Sequence, residues 1–150
     1  MSRRIVLSVV AGVVVLGGSG ALALAHAGEQ PPSVAHSAAR YAAPEGDRSG
    51  SLIFTTDVTA SSGVRNVKVL AWPANSPFTK EGLTAKDMAA VESAVCKASG
   101  EDTVRCTYKA TVTRADTEAS PRGVWHVAVL ATSEDGETTL VAKAADFTVL

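Results

Sequence analysis

Aromatic side chains are scarce in this 150-residue chain, where two Trp, two Tyr and three Phe make up 5% of the residues. A core must therefore be filled mainly by Val, Ala and Leu. Histidine is scarcer still, with three residues. His26 lies in an apolar leader, and His36 and His126 are too far apart for an HExxH zinc pair on one helix. Two cysteines are too few for a four-thiolate cluster, and the spacing of Cys96 and Cys106 is too wide for a CxxC redox centre. No Gly-rich turn ends in Lys-Ser or Lys-Thr, which excludes a phosphate loop. Ser19, flanked by Gly18 and Gly20, sits in the leader and not at a strand-to-helix elbow. Basic excess is also missing: the formal net charge is −1, so no nucleic-acid footprint is visible. The expectation is a protein that is not an enzyme, without cofactor or metal.

What is present begins with an export pattern. Arg3 and Arg4 form a positive start, Ile5 to Leu16 an apolar run, and Ala25-His26-Ala27 a small-x-small cleavage site. Residues 1–27 are read as a signal peptide cleaved between Ala27 and Gly28, which makes the protein secreted. Its removal leaves twelve basic against fifteen acidic side chains, a balance of −3. The rival is a retained anchor, since Ile5 to Leu24 approaches the roughly 20 residues that cross a bilayer. Gly17-Gly18-Ser19-Gly20 breaks that helix and favours cleavage. No Cys follows the apolar run, so no lipid anchor is offered, and the membrane enters only through the export signal. An even pair of cysteines in an exported chain predicts a disulfide, Cys96–Cys106.

Residues 28–39 read as a flexible lead, with Pro31-Pro32 and no sustained periodicity. Residues 40–150 read as one domain. Arg40-Tyr41 begins a first edge strand stopped by Pro44. In Ser51 to Ala60, Leu52, Phe54, Thr56 and Val58 share one face. In Val64 to Trp72, Val67, Val69 and Ala71 share one face, and Pro73 ends the strand. Thr84 and Asp87 form a capping box flanked by Leu83 and Met88 as a hydrophobic staple, predicting a short helix over about Ala85 to Ser93. A hairpin centred on Glu101 places Cys96 opposite Cys106, and Val104, Cys106, Tyr108, Ala110 and Val112 then face inward. Thr113 to Pro121 reads as a polar connection. Val124 to Ala131 alternates Trp125, Val127 and Val129 on one side with His126, Ala128 and Leu130 on the other. Ser133-Glu134-Asp135-Gly136 turns the chain into a last strand from Thr138. About seven short strands with turns between them and one inserted helix predict an all-β antiparallel sandwich.

Three patches carry a resemblance: Asp57-Val58-Thr59-Ala60-Ser61-Ser62-Gly63-Val64 running into Val67-Lys68-Val69, then Gly123-Val124-Trp125-His126-Val127, then Asp135-Gly136-Glu137-Thr138-Thr139. They resemble bacterial immunoglobulin-like modules, and the layout is similar to small exported actinobacterial proteins made of one such domain with no assigned function. The resemblance implies an immunoglobulin-like sandwich over about Arg40 to Leu150. It departs from antibody domains, which join their sheets by a widely spaced Cys pair packed on Trp.

His126 reads as a surface histidine with no acid near it in sequence. Glu134, Asp135 and Glu137 offer three carboxylates where Ca²⁺ takes about six to eight oxygens, so a plain turn is expected. Trp125 shares its face with Val127 and Val129 and reads as core. Trp72, before Pro73 at a strand end, and Phe78 in the following loop are the expected contact surface for an unknown protein or cell-wall partner. The function expected is an exported non-catalytic binding or structural module. The alternative is a secreted protease inhibitor presenting a disulfide-braced loop, at Ser99–Asp102 or Ser76–Lys80.

Overall fold

A computed structural model describes residues 30–150. The export signal and the Ala27–Gly28 cleavage site lie outside the described residues. Seven strands follow in chain order: β1 (Ser33–Ala42), β2 (Gly50–Thr59), β3 (Val64–Pro73), β4 (Val95–Gly100), β5 (Thr103–Val112), β6 (Gly123–Ser133) and β7 (Thr138–Val149). Two short helices, α1 (Phe78–Glu81) and α2 (Arg114–Ala119), and a 3₁₀ turn over Ala85–Met88 lie between them. All ladders are antiparallel. One sheet has the order β1-β2-β5-β4 and the other β3-β6-β7. Four-plus-three in that order is the strand arrangement of constant-type immunoglobulin sandwiches.

Period-two patterning builds the core. Leu52, Phe54, Thr56 and Val58 of β2 are buried, and the residues between them are half-exposed. Cys106, Tyr108 and Val112 of β5 face the same interior as Val67, Val69 and Ala71 of β3 and Trp125, Val127, Val129 and Ala131 of β6. The few aromatics are concentrated there. Phe147 stacks on both Tyr41 and Trp125, with ring centroids 5.4 and 5.9 Å apart. The Trp125 indole N–H donates to the Pro121 carbonyl at 2.8 Å, so its one polar atom is satisfied.

Three elements depart from the expectation. The first strand starts at Ser33, inside the stretch read as a flexible lead. Its pairing with β2 shifts by one residue between Ala35 and Ala38, where His36 takes a φ of 54°. That bulge flips side-chain parity: Val34 faces inward before it and Tyr41 after it, so no single alternation runs through the segment. The inserted helix is shorter than Ala85 to Ser93. Its capping box and staple are present, with Leu83 and Met88 buried, but one 3₁₀ turn ends at Met88. Beyond it the chain pairs with the β3 edge, Val69 N–H donating to the Glu92 carbonyl at 3.0 Å. The third is α2, in the segment read as a plain connection. Thr113 and Asp116 cap each other reciprocally, as Thr84 and Asp87 do, yet α2 buries no side chain and so has no apolar stripe to read.

Replacing Phe54, fully buried between the sheets, by Ala should cost about 3–5 kcal/mol. Urea unfolding of the Phe54→Ala variant measures this, and a loss below about 1 kcal/mol would contradict the packing described.

Candidate functional site

The disulfide forms as expected. Cys96 and Cys106 are opposite one another in the β4–β5 ladder, with a Cα–Cα distance of 4.0 Å. It lies within one sheet and does not join the two. The hairpin tip beyond it is also held, because Ala60 N–H donates to the Asp102 carbonyl at 2.9 Å.

Trp72 is not on the surface: it is 1% exposed, which corrects the expectation of an exposed contact. As the outward neighbour of inward Ala71 it belongs to the outer face of the β3-β6-β7 sheet. The segment from Ala74 to Ala94 folds back over that face. It buries Leu70, Trp72, Leu83, Met88, Ala128 and Leu130 in a second apolar cluster, with Phe78 packed half-buried against it. Phe78 meets the Trp72 ring edge-on at 5.9 Å. A proline-bounded strand end gave no hint of this cover, which depends on contacts with strands far along the chain. The cover also folds Phe78–Glu81 into α1, so part of the Ser76–Lys80 loop is helical.

His126 was expected to stand alone. It faces Trp72 across the β3–β6 ladder, with ring centroids 4.8 Å apart, and its Nδ1 is 2.5 Å from an Asp146 carboxylate oxygen. Asp146 is its partner in the β6–β7 ladder, a neighbour twenty residues away that only the register supplies. The pair forms an oriented imidazole against an aromatic wall. No hydrogen bond among the described residues brings a hydroxyl or thiol to it.

The outer face of the four-stranded sheet is polar. Asp57 sits between His36 Nδ1 at 3.0 Å and Arg105 Nε at 3.1 Å. Beside it a cleft of about 520 Å³ opens along β4 and β5, lined by Glu92, Val95, Lys97, Arg105, Thr107 and Lys109 among others. Val95 is 67% exposed at its rim. The periodic reading placed Arg105, Thr107 and Lys109 outward but gave no sign that they border a cavity. That depends on where β4 starts.

The carboxylates of the β6–β7 turn are engaged locally. Asp135 accepts from Ser133 Oγ and, at 3.1 Å, from Glu137 N–H, while Glu134 pairs with Arg65 at 3.8 Å. No group of three or more His, Cys, Asp or Glu among the described residues is placed to hold a metal ion.

A protein family of unknown function, DUF5707, matches residues 34–131, and the chain belongs to it. The match runs from β1 into β6. No curated protein and no solved structure matches.

The Ser133 hydroxyl, and then the Glu137 N–H, hold the Asp135 carboxyl below its usual range. A lowered folded-state value means this turn adds stability above the unfolded carboxylate range near 3.9 and loses it as pH falls through the folded value. Asp135→Asn should therefore destabilise the domain at neutral pH, with the deficit fading in acid. Urea midpoints across that pH range measure it, and a deficit independent of pH would contradict the assignment.

Proposed function

We propose that this DUF5707 protein is an exported, non-catalytic binding module of the cell envelope or extracellular medium, of the kind that small exported actinobacterial immunoglobulin-like proteins represent. One observation carries the reading: a charged cleft open to solvent, braced on one side by the Cys96–Cys106 strand pair. The disulfide favours an oxidising compartment, in keeping with the signal pattern of residues 1–27. We read the most enzyme-like feature, His126 with Asp146, as structural. Its ring packs on Trp72 and its Nδ1 ties β6 to β7. The strand order alone assigns no role, since sandwiches of this type host many.

The second reading, a protease inhibitor, is supported by the Glu101–Asp102 tip. It is exposed, follows the disulfide closely and is tied to Ala60. Such a rigid loop is what a tight inhibitor presents.

Purified chain lacking residues 1–27 should turn over no ester, peptide or glycoside substrate beyond the level of its His126→Asn variant. Turnover abolished by that change would overturn the non-enzyme reading. Titration against subtilisin- and trypsin-like proteases should leave their activity intact; stoichiometric loss would favour the inhibitor instead. In pull-downs from culture medium and cell-wall fractions, the parent should capture a partner that a Lys97→Glu, Lys109→Glu double variant loses.

A further inference from the structure

Strand β4 is shorter than the strand it pairs with. β5 runs to Val112 and is matched to β2 along its whole length, from Thr103↔Thr59 to Val112↔Gly50. β4 accompanies it only as far as Val95↔Thr107. The cause lies just upstream. Ala94 N–H donates to the Val67 carbonyl of the other sheet at 2.8 Å, so the chain is still attached to β3 one residue before β4 begins. The crossing from one sheet to the other uses the residues that would have continued β4. The last part of β5 is left as a ledge.

The ladder phase gives the direction of the ledge's backbone groups. Antiparallel pairs alternate between a close, non-hydrogen-bonded spacing near 4.5 Å and a wider, hydrogen-bonded one near 5.5 Å. Cys96 and Cys106, with Cα atoms 4.0 Å apart, are the close kind. Arg105 and Thr107 therefore turn their N–H and C=O groups toward β4, and by the same alternation Lys109 and Thr111 turn theirs toward the ledge's open side. Both residues are exposed, and no backbone hydrogen bond from another described segment reaches them. The 520 Å³ cleft reaches this point, with Thr107, Tyr108 and Lys109 in its lining. Its charge is one-sided. Glu92 is the one acid in its lining. Arg105 is paired with Asp57 beside the cleft at 3.1 Å, while Lys97 and Lys109 make no ion pair among the described residues. Arg40 lies in the same cross-strand row as Lys109, with Ile53 between them. This basic face belongs to a chain whose balance past residue 27 is acidic.

We propose that the ledge of β5 is a strand-addition site for an extended acidic peptide segment of a partner protein. The peptide lies in line with β4, antiparallel to β5, and pairs its backbone with Lys109 and Thr111. Its residue opposite Lys109 faces the basic side, where Glu or Asp is favoured. Its alternate residues face the side of Tyr108 and Ala110, where small apolar groups fit. This assignment rests on the binding-module reading and names its partner class.

The probe is a short peptide of alternating Glu and Val, added to the chain lacking residues 1–27. At saturation, amide hydrogen exchange at Lys109 and Thr111 should slow by roughly tenfold, the effect of about one backbone hydrogen bond each. Binding should weaken with added salt. Alternating Lys and Val, or the Glu–Val peptide N-methylated at its Glu residues, whose N–H groups turn toward β5, should not protect these amides. Lys109→Glu and Lys97→Glu, both at exposed positions, should each reverse the preference toward the Lys–Val peptide. Absence of protection at Lys109 and Thr111, or equal protection by the N-methylated peptide, would overturn the proposal. A partner captured in the pull-down by parent and Lys109→Glu chains alike would remove the ledge as the site and leave the binding-module reading standing.

Discussion

Two-sided burial of β6 is the constraint on which the rest depends. Its inward residues Trp125, Val127, Val129 and Ala131 close the sandwich core, and its outward Ala128 and Leu130 are buried as well. A three-stranded sheet with one apolar face would need nothing more than the opposite sheet. With apolar groups on both faces it also needs a cover, and the segment between β3 and β4 supplies it. That requirement places Trp72 inside, fixes Leu83 and Met88 as anchors, and holds Glu92 to Ala94 along the β3 edge. The late start of β4 follows from the same path of the chain.

The sheet faces were legible where alternation is unbroken. Leu52 to Val58 and Val104 to Val112 could be assigned from sequence because each apolar residue recurs at every second position. The cysteine pairing followed from symmetry about Glu101. Of β1 only the end at Arg40-Tyr41 was legible, because one extra residue at its bulge puts Val34 and Tyr41 on opposite parities, although both face inward. The helix α2 carries a Thr-x-x-Asp signal identical in kind to the one at Thr84. Without apolar residues to confirm it, the segment looks like any polar connection.

The candidate sites were less legible, and for a different reason. His126 and Asp146, or Trp72 and Phe78, meet through registers and loop paths that no local window contains. Trp72 was misplaced because a strand end before proline usually reaches solvent, whereas here the chain doubles back over it. The ledge on β5 was invisible for a related reason: its residues look like ordinary outward strand positions, and what sets them apart is the neighbour that stops short.

The cysteine bridge has a consequence for how the domain comes apart. Both sulfurs belong to a single layer, and β4 and β5 are already adjacent in chain and in space. The bond narrows the conformations open to the denatured chain but contributes no tie across the seam between layers. Cohesion of the two walls is left to apolar contact between side chains, the Tyr41–Phe147 ring stack included, and apolar contact weakens on cooling as well as in denaturant. An oxidised molecule can therefore lose its layered form with every covalent bond intact, retaining one stapled loop as the remnant of its former geometry.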